Sequence, residues 1–270
     1  MTASGIYISE LTIYPVKSLA AIHLHRSKLV PTGLQHDRQW MIVDKNGRFI
    51  TQRQLPHMAL IQPSLEDGTL TLNARGESNC PVAHPHASNP SMTVQIWDTT
   101  IEALRVDPLA DAWLTHILKF PCHLVRFADN KIRPLDLTYA SPGDQTAFAD
   151  GFPILLISEA SLNHLNQRLA RPVPMSRFRP NIVVTGCEAF AEDRWKYIQI
   201  ADIRMRVVKP CSRCVITTID IDTGKKAGPE PLKTLFKFRK QDKQVMFGQN
   251  LIHDECGQLT LKDPVQVLTQ

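Results

Sequence analysis

Lys209-Pro210-Cys211-Ser212-Arg213-Cys214 holds two thiols, an arginine and a hydroxyl within six residues. Ile203-Arg204-Met205-Arg206-Val207-Val208 precedes it, with apolar residues at alternate positions. Val215-Ile216-Thr217-Thr218-Ile219-Asp220 follows it, rich in β-branched residues. Both flanks predict strands. Pro210 cannot donate to a ladder, which predicts a break there and a rigid corner that presents the thiols.

A C-x-x-C pair admits four readings: a redox dithiol, half of a zinc site, one thiolate ligand beside a bystander, or two inert buried thiols. A redox dithiol is expected at a helix N-terminus in a βαβ unit, whereas a β-branched run follows here. Zinc takes four ligands. No second C-x-x-C exists, but His253 and Cys256 could complete a Cys/His set. Free cysteines are often simply buried. Arg206, Lys209 and Arg213 argue against that, because nearby cations favour thiolate over thiol.

The 270 residues suit one large or two small domains. A hydrophobic content of 43% and a charged content of 21% are those of an ordinary globular protein. The net charge of +5 suits an anionic small molecule. It is too small to argue for nucleic acid, and no basic run is interleaved with aromatics. Six cysteines in a chain this long do not make a disulfide framework. The first residues lack a charged and apolar leader, and no apolar run reaches membrane-spanning length. The expected setting is a reducing cytoplasm, with no membrane partner.

Residues 6–14 alternate, with one slip near Ser9–Glu10, and predict a strand. Met41-Ile42-Val43 and Arg48–Thr51 flank the turn Asp44-Lys45-Asn46-Gly47 as a hairpin. Asp67-Gly68 marks another turn, residues 74–92 read as a long surface loop, and strands fit 93–97 and 101–106. Asp107-Pro108 opens a helix, as N-cap and first residue. Residues 129–150 read as loop, 152–157 as a buried strand, and Ser158 starts a helix with Leu162, Leu165 and Leu169 on one face. Strands fit 181–185, 197–200, 258–262 and 265–268, with a short helix at 232–238. The many short N-terminal strands suggest a small antiparallel barrel or sandwich.

Polar groups gather where strands begin or end. Lys17-Ser18, Arg38 and Arg177-Phe178-Arg179-Pro180-Asn181 bring ammonium, guanidinium, hydroxyl and amide groups to such places. That is how a phosphate is held without a glycine-rich loop. Neither G-x-G-x-x-G after a strand nor G-x-x-x-x-G-K-S/T is present, so neither standard nucleotide site is expected.

Seven motifs then follow in order: Tyr14-Pro15-Val16-Lys17-Ser18, Asp37-Arg38-x-Trp40, Ile157-Ser158-Glu159-Ala160-Ser161-Leu162, Phe178-Arg179-Pro180-Asn181-Ile182, Cys211-Ser212-Arg213-Cys214, Asp220-x-Asp222-Thr223-Gly224 and Phe247-Gly248-Gln249-Asn250. Together they resemble the MOSC proteins, related to the C-terminal domain of molybdenum-cofactor sulfurase, in the branch of the mitochondrial amidoxime-reducing component. The resemblance spans nearly the whole chain. It implies a mixed α+β, mostly β fold: a MOSC-associated N-terminal β-barrel domain over 1–120 and a barrel-like MOSC domain with a few helices over 121–270.

The resemblance further implies a molybdenum cofactor, a molybdopterin, with Cys214 as the protein's thiolate ligand and catalytic residue. A soft thiolate suits such a metal. Lys17, Ser18, Arg38, Arg179 and Asn181 match residues that hold the pterin phosphate, and Ser212 and Arg213 lie beside the metal. Asp150, Gly151 and Phe152 fall where the family approaches the cofactor. This chain departs there, since relatives can carry hydroxyl residues at the Gly151 and Phe152 positions, and Asn250 stands where the mitochondrial branch has a tyrosine. The implied activity is reduction of N-hydroxylated compounds, such as hydroxylamines and amidoximes, to amines or amidines. The ligand run of the ferredoxin domain found in many bacterial relatives is absent. Electrons are therefore expected from a separate ferredoxin, flavodoxin or cytochrome-type protein with its reductase, or else the chain is a piece of a longer one. A cofactor or sulfur carrier without turnover, and a zinc-binding domain, are the alternatives; pyridoxal phosphate is not expected.

Overall fold

The alternation of Ile6, Ile8, Leu11 and Ile13 forms strand β1 (Ile6–Ile13). The slip in its pattern is a bulge: its register against a neighbour shifts between Ile8 and Glu10. One extra residue lets the apolar side chains on either side of it face the same way. The structure is a computed structural model and describes residues 5–84 and 89–268.

Six further strands join β1: β2 (Ile154–Ser158), β3 (Ile182–Thr185), β4 (Tyr197–Ile200), β5 (Ile203–Arg213), β6 (Gln244–His253) and β7 (Pro264–Leu268). They run in the order β2-β3-β1-β7-β4-β5-β6, and β6 pairs back onto β2 to close a barrel. Closure removes the open edges that invite aggregation. Ile8, Leu11, Ile13, Leu156, Val184, Ile198, Met205 and Leu251 form its core. The one parallel pairing, β2 with β3, needs a crossover, and helix α2 lies within it. The α-helices among the described residues are α1 (Pro108–Leu118), α2 (Glu159–Asn166) and α3 (Leu232–Phe238). Asp107 caps α1 by accepting from the Leu109 N–H at 2.9 Å. Ser158 caps α2 by accepting from Ser161 N at 3.1 Å.

The other β elements flank this barrel. Trp40–Val43, His123–Arg126, Thr99–Arg105 and Ser91–Ile96 form one sheet, and Gln62–Glu66, Thr69–Asn73 and Cys80–Val82 another. Trp40, Ile42, Met58, Leu70, Leu72, Leu114 and Leu124 pack into a second core. The fold is mostly β, with a half-barrel sheet beside the closed barrel.

Four local expectations are corrected. β5 does not break at Pro210; it runs through it, and its register against β6 shifts between Val207 and Lys209 and between Pro210 and Ser212. Two bulges absorb the missing N–H, so the ladder bends instead of ending. Val215–Thr218 is a 3-10 turn, and only Ile219–Asp220 is extended. Thr217 Oγ1 donates to Cys214 O at 3.0 Å and Thr218 Oγ1 to Val215 O at 2.8 Å. These hydroxyl bonds offer the backbone a turn and override its β propensity. The 74–92 stretch contains the strand Cys80–Val82, whose Cys80 and Val82 are buried. The return strand at 48–51 is reduced to isolated bridges, Val43 with Phe49 and Arg48 with Gln95. Residues 85–88, within the expected loop, lie outside the described residues.

Gly248 sits where β6 meets β2, with φ at +83°. A Cβ there would lie 2.6 Å from Ile157 Cγ1 and 2.9 Å from Leu156 O. Gly248→Ala is expected to destabilise the fold by about 2–4 kcal/mol, overpacking and left-handed backbone together. An unchanged urea midpoint would refute this. Among the described residues no helix is long and apolar enough to cross a membrane.

Candidate functional site

A cavity of about 670 Å³ opens between the barrel and the N-terminal sheets, within the roughly 300–1,000 Å³ range of small-molecule sites. All twelve residues that the resemblance assigns to the site line it, whereas Arg177, from the same phosphate-binding cluster in the sequence, pairs instead with Asp220 at 3.0 Å. Lys17, Ser18 and Arg38 come from the N-terminal half; Asp150, Gly151 and Phe152 from the loop before β2; Arg179 and Asn181 from the turn before β3. Ser212, Arg213 and Cys214 come from the end of β5, and Asn250 from β6. Cations dominate the lining: Lys17, Arg38, Arg53, Arg179, Lys209 and Arg213 face two carboxylates, Asp98 and Asp150.

The anchoring of these cations follows from local backbone. Ser18, Arg38 and Arg179 have φ of +69°, +48° and +56°. None is a glycine, and each such conformation costs about 1–3 kcal/mol unless its surroundings impose it. The surroundings do. Asp37, 3% exposed, accepts from Tyr14 N at 2.8 Å and from Arg38 Nη1 at 2.6 Å. Asn181 Oδ1 accepts from Arg38 Nη1 at 3.1 Å and from Leu155 N at 3.2 Å, while its Nδ2 donates to Thr12 O at 3.2 Å. The Asn181 amide is thus committed to holding Arg38 and two backbone segments. Arg179 Nη1 donates to Leu19 O at 2.7 Å, and both guanidinium groups lie over the Tyr14 ring, at 4.4 Å for Arg38 and 4.0 Å for Arg179. Burial brings the Arg179 guanidinium down to about 10 and pushes the Tyr14 phenol up to about 12, so at neutral pH one stays charged and the other neutral.

Lys17 Nζ donates to Phe148 O at 2.8 Å and to Asp150 Oδ1 at 2.5 Å. Burial pulls its ammonium below the usual lysine range, and Asp150 only partly offsets this. Partial burial pushes the Asp150 carboxyl up, but Lys17, Arg53 and the Trp97 N–H reverse that and hold it well below the usual carboxylate range. Gly151 faces open space, with nothing within 4 Å of where a Cβ would be. Phe152 packs edge-on to Tyr139 at 6.0 Å. Asn250 Nδ2 donates to Lys209 O at 3.2 Å and pins the first bulge of β5.

Arg53 Nη2 donates to Cys214 Sγ at 3.2 Å and stacks over Trp97 at 4.9 Å. Trp97 Nε1 in turn reaches Asp150 Oδ1 at 3.2 Å. Sequence reasoning missed this chain of contacts. Trp97 carried a signal, as a large aromatic at a hairpin tip between Ile96 and Thr99; Arg53 carried none. Arg133 was missed too; it donates to Ala147 O at 2.9 Å and Ala149 O at 2.6 Å and so fixes the segment that carries Asp150. Arg206, expected beside the thiols, instead pairs with Asp254 at 2.7 Å and Asp144 at 2.8 Å. Arg213 Nη1 contacts Cys211 Sγ at 2.9 Å.

The zinc set does not assemble. His253 stands opposite Met205, far along the strand pair from Ser212 opposite Met246, and its Nδ1 contacts Glu255 O at 3.1 Å. Among the described residues no three His, Cys, Asp or Glu side chains gather to hold a metal. All six cysteines are free.

A closed barrel whose thiol-bearing strand end faces a second β unit across a cationic cleft defines a two-part architecture. Residues 5–121 match the MOSC N-terminal beta barrel domain, and residues 143–266 match the MOSC domain. The chain is 35% identical to mitochondrial amidoxime-reducing component 1 of Mus musculus, across 97% of this chain and 82% of that one. It is 35% identical to the Homo sapiens protein of the same name, across 97% and 83%. It is 37% identical to mitochondrial amidoxime reducing component 2 of Rattus norvegicus, across 96% and 82%. The chain belongs to the MOSC-domain family, in the branch of the mitochondrial amidoxime-reducing components.

Proposed function

We propose that this protein reduces N-hydroxylated compounds, such as hydroxylamines and amidoximes, to amines and amidines. It does so with a molybdenum cofactor and with electrons from a separate redox protein. The observation that carries this reading is the Cys214 thiol in the wall of a cavity where six cations converge. The name of the relatives, amidoxime-reducing, points the same way.

The residues present fit such a cofactor. Lys17 and Arg179 are cations whose burial is only partly compensated by the protein, and a phosphate would complete their pairing. Arg213 Nε is buried without a hydrogen-bond partner. Cys214 offers a soft donor suited to the metal. When bound, the cofactor supplies the electron transfer: R–NHOH, two electrons and two protons give R–NH2 and water. The chain's own residues bind and orient. Lys17 and Arg179 hold the phosphate, and Arg38, fixed by Asp37 and Asn181, keeps Arg179 in place through Nη2 to its carbonyl at 3.2 Å. Arg53 fixes the direction of the Cys214 sulfur.

The test uses protein made in a host that synthesises the cofactor. Elemental analysis should find about one molybdenum per chain and no stoichiometric zinc. Benzamidoxime should be reduced with a reduced viologen as donor but not with NADH alone, since no dinucleotide fingerprint is present. Stoichiometric zinc, or robust turnover on NADH alone, would overturn the reading. Cofactor without turnover on any donor would make the chain a carrier.

A further inference from the structure

A second cavity, of about 700 Å³, is also lined by Cys214. It shares Ser212, Arg213, Cys214 and Gln244 with the first, so Cys214 borders both spaces. The 3-10 turn Val215–Thr218 and helix α3 contribute its walls. Its character differs from that of the first cavity. Val215, Leu232 and Phe236 give it an apolar lining, and Val215 and Phe236 are 36% and 52% exposed. Large apolar side chains left open beside a reactive group mark a binding surface. Lys226, Lys233 and Lys243 also line it, and all three are exposed. Among the described residues the only lysine in an ion pair is Lys17, so these three ammonium groups are uncommitted.

An apolar surface edged by free ammonium groups complements a molecule that is apolar over its body and anionic at one end. We propose that this groove is the substrate subsite, and that it selects N-hydroxylated compounds carrying a carboxylate or similar anion on an apolar body. The apolar body lies on Val215, Leu232 and Phe236, the anion meets the lysines, and the N–O group faces the shared wall at Cys214. The inference rests on the reductase reading for its N-hydroxylated class, while the selection of an apolar anion rests on the groove alone.

The experiment titrates the cofactor-loaded protein calorimetrically with benzamidoxime and with its para-carboxylate. The carboxylate should bind roughly tenfold more tightly, the joint effect of three exposed charge contacts. The advantage should fade with salt and vanish in the Lys226→Gln, Lys233→Gln, Lys243→Gln triple variant. Phe236→Ala should weaken both probes alike. A carboxylate with no advantage, or one whose advantage survives the triple substitution, overturns the proposal. So does an acidic redox protein that loses binding in the triple variant while the probes show no carboxylate preference, which would make the groove a protein-docking face. If the carboxylate advantage behaves as expected but neither probe is reduced, the anion-selective groove stands and the reductase reading falls.

Discussion

Cys214→Ser is expected to abolish substrate reduction, by more than roughly the hundredfold that loss of a mere outer-sphere partner can cost a metal site, while Cys211→Ser is expected to keep most of it. The two thiols lie three residues apart but occupy different places. Cys214 follows the end of β5, receives the Arg53 N–H at 3.2 Å and borders both cavities. Cys211 lies within β5, borders only the first cavity and packs against the apolar cluster of Leu155, Phe178 and Phe247. A serine at 214 presents a harder, far less acidic donor, so the proposed molybdenum would lose its protein ligand. Pterin should be retained in part, because the contacts proposed for Lys17 and Arg179 are untouched. A serine at 211 loses some apolar contact and about 1 kcal/mol of stability. Molybdenum content and benzamidoxime reduction, measured side by side, decide the matter. An active Cys214→Ser protein, or a metal-free Cys211→Ser protein, would exchange the roles assigned to the two thiols.

Arg38→Ala and Arg179→Ala are expected to fail in different ways. Arg38 closes an ion pair with Asp37, and their side chains are 13% and 2% exposed. Removing the guanidinium strands a buried carboxylate and takes a partner from Asn181. A loss of about 3–5 kcal/mol follows. Arg179 donates to Leu19 O, lies over the Tyr14 ring and lines the cavity, and among the described residues no carboxylate pairs with it. Its removal should cost the fold less than that of Arg38, but should cost the proposed phosphate a contact of roughly 1.5–3 kcal/mol, a tenfold or greater loss of pterin retention. Urea unfolding and released-pterin fluorescence separate the two. Arg38→Ala with a wild-type midpoint, or Arg179→Ala with full pterin content, contradicts the division of labour.

Much of the strand inventory was legible because alternation reports which residues are half-buried, and even the slip at Ser9–Glu10 proved to be a real bulge. The caps Asp107 and Ser158 were legible for the same local reason. What alternation does not contain is which sheet a strand joins. Nothing in Ile6–Ile13 distinguishes a strand of the neighbouring N-terminal sheets from one of the closed barrel. Nor does β-branched composition reveal that the hydroxyls of Thr217 and Thr218 will bind the backbone behind them. At the cavity, cations beside strand ends were readable one by one. Arg53 was not, because its link to Cys214 spans 161 positions and exists only after folding.

The neighbours of β1 carry a consequence for biosynthesis. Ile6 pairs with Val265, so the first strand of the barrel to leave the ribosome is completed on one side by its last. The barrel cannot be assembled in the order of translation. Until Pro264–Leu268 emerges, β1 has Ile182–Thr185 on one edge, and on the other only Ile22–Leu24 against Leu11–Ile13, so the Ile6–Tyr7 end keeps open backbone groups. The cleft is built across the same delay, from Lys17 early in synthesis to Asn250 late. The cleft proposed above to take an anionic cofactor is therefore complete only once Asn250 and Pro264–Leu268 have been translated.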